Sequence, residues 1–85
     1  MSQIEKQKER LIACPKDYTY AEASSLLCRL GFYETNKGKT SGSRVRFYRP
    51  ADGRVIDLHK PHPKPTMDVA AVKELKTFLE RIGDL

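Results

Sequence analysis

Arg44 to Arg49, read RVRFYR, alternates cationic and apolar residues, and it constrains the fold more than any other stretch of the chain. Side chains on a strand alternate between two faces, so Val45 and Phe47 turned toward a core leave Arg44, Arg46 and Tyr48 together on the opposite face. Pro50-Ala51-Asp52-Gly53 follows as a turn signal. The next run, Arg54 to His59, then forms the returning arm of a hairpin. On that arm Ile56 and Leu58 share the inward face, leaving Val55, Asp57 and His59 outward. A hairpin patterned in this way needs an apolar cover on one face only.

The cover comes from the segments on either side. Thr19-Tyr20-Ala21-Glu22 is a capping box, in which the Thr19 hydroxyl accepts from the Glu22 amide while the Glu22 carboxylate reaches back. Ala23, Leu26, Leu27 and Leu30 then fall on one helical face, and Gly31 ends the helix as a left-handed cap. Phe32 to Asn36 reads as a first strand. Beyond the hairpin, HKPHPKPT carries three prolines and cannot continue a central strand. Thr66 is the expected N-cap of a last helix, with Asp68 in its first turn. Val69, Val72, Leu75, Leu79 and Ile82 repeat on one face of that helix, with Phe78 beside them, until Gly83 stops it.

Before the capping box, residues 2 to 12 are mostly charged, with Ile4, Leu11 and Ile12 as apolar anchors, and read as a short helix broken at Pro15. The expected division is a charged N-terminal segment over 1–16 and a domain over 17–85. The expected order is α-α-β-β-β-α. Two amphipathic helices cover one face of a three-stranded antiparallel sheet well and leave the other open. The class is α+β, with a double-stranded-RNA-binding-like fold.

Charge is concentrated at the centre of the chain. Lys37, Lys39, Arg44, Arg46, Arg49, Arg54, Lys60 and Lys64 face only Asp52 and Asp57 within their segment, so this stretch holds more than the whole net charge of +5. Such a footprint suits a polyanion, against the alternative of a merely solvated basic surface. No apolar run is long enough to span a membrane, and no membrane partner is expected. The opening MSQIEKQKER carries charge where an export signal needs apolar residues. Cys14 and Cys28 match no metal-ligand or redox spacing. A cytoplasmic setting is expected, with no cofactor and no metal. Gly38-Lys39-Thr40 resembles the end of a phosphate-binding P-loop, but Tyr33 stands where its first glycine belongs.

From the capped helix onward the chain resembles the HicA toxins of bacterial toxin–antitoxin pairs. The resemblance rests on Leu30-Gly31-Phe32 at a helix end, then Gly42-Ser43 before a strand that ends Phe47 to Pro50. Pro61-His62-Pro63 follows the hairpin, and Ile82-Gly83 closes the last helix. It implies the same double-stranded-RNA-binding-like fold, ribonuclease action on mRNA, and silencing by a HicB-like antitoxin. The family pattern has its catalytic histidine directly after Gly-Ser, where this chain has Arg44. Arginine stays protonated and cannot take the proton of a 2′-hydroxyl, although it can hold the scissile phosphate.

RNA cleavage without a metal needs a base for the 2′-hydroxyl, an acid for the departing 5′-oxygen and cations for the phosphate. His59 is the base candidate, because pleat parity puts it on the face of Arg44 and Arg46; the competing reading is a solvated histidine at a strand end. His62 matches the family's Pro-His-Pro position and either reacts or shapes its turn. Asp57 orients a histidine or pairs with Arg46. Tyr48 stacks on a base or covers sheet surface. Lys37, Lys39 and Lys60 complete the cationic set expected to hold RNA. Two readings follow: a HicA-like endoribonuclease toxin, or an RNA-binding module of that fold that lost catalysis with the histidine. A third use of the same face is to dock an acidic protein such as the antitoxin.

Overall fold

The computed structural model describes residues 3–35, 44–61 and 64–85 of the 85-residue chain. The sequence expectations that fall on Asn36, Lys37, Gly38, Lys39, Gly42, Ser43 and His62 lie outside these residues. The elements are α1 (Gln3–Ala13), α2 (Tyr20–Arg29), β1 (Tyr33–Thr35), β2 (Arg44–Arg49), β3 (Arg54–His59) and α3 (Val69–Arg81). The order α-α-β-β-β-α and the α+β class are those read from the sequence.

The capping box forms as its spacing requires: the Glu22 amide donates to the Thr19 hydroxyl at 3.1 Å, and the Thr19 amide donates to the Glu22 carboxylate at 2.9 Å. Gly31 ends α2 at φ +97°, a conformation that costs glycine little and other residues much. Its position is also tight. A Cβ there would meet Arg49 Cδ at 3.3 Å. At the N-terminus, α1 stops at Cys14, which takes a positive φ of 49°.

The three strands form one antiparallel sheet in the order β1-β2-β3. The inner face carries Val45, Phe47 and Leu58, all buried, beneath Leu26 and Leu27 of α2 and Val72, Leu75 and Leu79 of α3. At about 25 cal/mol per Å² of apolar surface, this single cluster is the main source of stability available to a domain of this size. Leu11 of α1 belongs to the same cluster and is wholly buried.

One helix start differs from the sequence reading. Thr66 does not cap α3. It pairs with Thr19 in an isolated antiparallel bridge, with the Met67 amide donating to the Tyr18 carbonyl at 2.7 Å and the Tyr20 amide to the Pro65 carbonyl at 3.1 Å. Thr66 is thereby held against the entry to α2, and the N-cap falls on Asp68, which makes no side-chain capping bond. The bridge also buries Tyr18 and Met67, which local periodicity does not mark as core.

Candidate nucleic-acid interface

The register of the sheet decides which side chains share the open face. Arg44 pairs with His59, Arg46 with Asp57, and Tyr48 with Val55 across β2 and β3. Across β1 and β2, Tyr33 pairs with Tyr48 and Thr35 with Arg46. All the outward residues of β2 and β3 are exposed, while their inward neighbours Val45, Phe47 and Leu58 are buried. The face is therefore built in rows. Tyr33, Tyr48 and Val55 form one, Thr35, Arg46 and Asp57 the next, and Arg44 and His59 the last.

Within the middle row, the Arg46 guanidinium holds the Asp57 carboxylate with two bonds, Nε to Oδ1 at 2.9 Å and Nη2 to Oδ2 at 3.3 Å. The hydrogen bond from Arg46 is the main cause that holds the Asp57 carboxyl below the usual carboxylate range, and Arg44 and His59 add smaller attractions. Of the two readings of Asp57, the ion pair is the one formed. Arg44 differs from Arg46: among the described residues it makes no hydrogen bond or ion pair. A neighbouring pair on one sheet face brings Cβ atoms to roughly 5 Å, so Arg44 and His59 can act on one phosphate.

Arg49 and Lys60 lie off this face. Arg49 has the inward parity and is an internal brace: its guanidinium reaches Asp52 at 2.6 Å, the Leu30 carbonyl at 3.1 Å and the carboxylate of Asp84. Its Cζ also sits 4.8 Å from the centre of the Phe32 ring. The hydrogen bonds that it donates to Asp52 and then Asp84 raise its pKa above the ordinary arginine value. Lys60 extends over the Tyr20 ring at 5.7 Å, and Tyr20 packs against the inward Phe47. Its ammonium is thus on the helix side, apart from Arg44, Arg46 and Tyr48.

Tyr33 and Val55 are open-face residues that carried no role in the sequence reading. The signal for Tyr33 was its position after the inward-facing Phe32, but three residues of strand give too short an alternation to read with conviction. Its partnership with Tyr48 is a matter of register, which residue pattern alone does not supply. On the other side of β3, a cavity of about 430 Å³ opens toward α3 and is floored by Ile56, Leu58, Leu75 and Phe78. Asp57, His59, Lys73, Glu74 and Arg81 also line it, so the cavity reaches the His59 end of β3. Among the described residues no helix is long and apolar enough to cross a membrane.

A comparison with protein-family models matches residues 20–83 to the family described as HicA toxin of bacterial toxin-antitoxin. The chain belongs to the HicA toxin family. Neither a curated protein nor a solved structure matches it. The match begins at Tyr20, the first residue of α2, so α1 lies outside it. As the toxin half of a toxin–antitoxin pair, this HicA-family chain has an antitoxin as its partner.

Proposed function

We propose that this HicA-family toxin is a metal-independent mRNA endoribonuclease acting in the cytoplasm, with Arg44 and His59 at the scissile phosphate. The observation that carries the reading is their cross-strand pairing on an open face: the family histidine is missing at position 44, yet an imidazole stands opposite it. In the proposed reaction the neutral imidazole of His59 takes the proton of a 2′-hydroxyl. The 2′-oxygen attacks phosphorus, the bond to the 5′-oxygen breaks, and water protonates that leaving oxygen. The products are a 2′,3′-cyclic phosphate and a 5′-hydroxyl end. Arg44 donates to the non-bridging oxygens, where charge builds in the transition state. Lys37, Lys39, Arg46 and Tyr48 hold the flanking RNA, and a HicB-like antitoxin silences the toxin by covering the basic face with an acidic surface or an inserted segment.

The test uses purified protein and end-labelled RNA in EDTA, with induction of the chain alone in growing cells as a second readout. Cleavage leaving cyclic phosphate ends, lost in His59→Ala, is the expected result. Cleavage unchanged in His59→Ala removes that residue from the mechanism. Arg44 at the family histidine position favours a second reading, a non-catalytic RNA-binding module of the same fold. Salt-sensitive RNA binding with no cleavage and no growth arrest selects it.

A further inference from the structure

We propose that Tyr33, Tyr48 and Val55 form a stacking row for unpaired bases of a single-stranded RNA, whose backbone continues along the sheet to Arg44 and His59. The inference rests on the RNA-binding reading above and specifies how the strand lies. Tyr33 is 62% exposed, Tyr48 38% and Val55 42%. These are three of the four large hydrophobic residues exposed among the described residues; the fourth, Ile12, is on α1. The register puts the three side by side, one from each strand, with strands about 4.8 Å apart. A contiguous apolar row on an otherwise polar face marks a binding surface.

The surroundings of the row select its occupant. From Tyr48 the strand runs through Arg46 to Arg44, four residues along, a distance of about 14 Å at the rise of an antiparallel strand. The face therefore grades from aromatic rings at the hairpin-turn end to the Arg44 guanidinium and the His59 imidazole at the other. A single strand has this polarity, with bases free to stack and phosphates free to meet cations. In an A-form duplex the bases are already stacked within the helix, so a flat row of rings meets only sugar and phosphate. An apolar protein surface over the row would also cover the Arg46–Asp57 pair and Arg44, with a desolvation cost for each charge.

The experiment is anisotropy binding with a labelled 2′-O-methyl oligonucleotide, single-stranded or annealed to its complement. Its blocked 2′-oxygens keep binding separate from cleavage. Tyr33→Ala and Tyr48→Ala are each expected to weaken single-strand binding by roughly 5- to 150-fold, the range set by loss of one base–aromatic stack. Tyr33→Phe and Tyr48→Phe keep the affinity, and the salt dependence stays that of the unaltered chain because no phosphate contact is lost. Abasic sites in the oligonucleotide should remove the difference between Tyr and Ala. If both alanine variants bind like the unaltered chain while Arg44→Ala binds weakly, the stacking row is overturned and RNA binding stands. Equal losses for single strand and duplex, not rescued by Phe, also overturn it. If the unaltered chain binds neither oligonucleotide, the RNA-binding reading falls and the stacking row falls with it.

Discussion

Arg44 and His59 are directly opposed across the β2–β3 ladder, on the face of the sheet that the helices leave uncovered. One member of the pair is a guanidinium and the other an imidazole. His59→Ala is expected to lower the cleavage rate by on the order of 100-fold or more, the usual worth of a positioned general base. Arg44→His puts two imidazoles in adjacent positions, able to serve as base and acid, and is expected to cleave faster than the unaltered chain while binding RNA less tightly. Initial rates at saturating RNA, set beside binding constants for uncleavable RNA, separate the two effects.

Asp57 tempers the charge of Arg46 through two hydrogen bonds. Asp57→Asn leaves the guanidinium without its counter-charge and is expected to tighten single-strand binding by several-fold at low salt. The slope of log affinity against log salt should steepen by about 0.7, the increment for one further phosphate contact on a single strand. Titrations at several salt concentrations measure both. An unchanged slope would mean that Arg46 meets no phosphate.

Arg49 ties the hairpin turn, the end of α2 and the segment after α3 together through Asp52, the Leu30 carbonyl and Asp84. Lysine cannot reproduce a planar fork with donors aimed at several acceptors. Arg49→Lys is expected to destabilise the fold by about 2 kcal/mol, the scale of charge-assisted hydrogen bonds lost in a half-buried setting. It should show as a lower urea midpoint, with RNA affinity intact under conditions where the protein is folded, because Arg49 lies off the open face.

Glu22 gives the fold an acid sensitivity. Burial pushes its carboxyl up, but the hydrogen bonds from Arg10 and the Thr19 amide together outweigh burial and hold it below the usual value. The unfolded chain therefore binds more protons than the folded one as pH falls through this range. The stabilisation is fully present above about pH 4.3, the unperturbed glutamate value, and is lost as pH falls through the depressed folded value. Urea midpoints taken from pH 7 to pH 3 should decline less steeply in Glu22→Gln than in the unaltered chain.

What the sequence made legible was local. The Thr19–Glu22 box, the Gly31 stop, the hairpin around Asp52-Gly53 and the outward parity of Arg44, Arg46 and Tyr48 all depend on residues a few positions apart, and each is present in the structure. The less legible parts depend on distant partners. Thr66 looked like a cap because its pairing with Thr19, 47 positions away, leaves no local mark. Arg49 read as one more basic residue of a cationic segment until the fold brought Leu30 and Asp84 to it. Tyr33 acquired a role only when β1 took its register against Tyr48.

The family match begins at Tyr20, yet Leu11 of α1 shares the core with Leu26, Leu75 and Leu79. The matched stretch and the packed core thus have different boundaries. A chain trimmed to residues 20–83 would carry an open socket in its interior, so α1 serves as a plug for the core. Changes on the exposed side of α1 are free to follow whatever that helix meets, while Leu11 answers to the core.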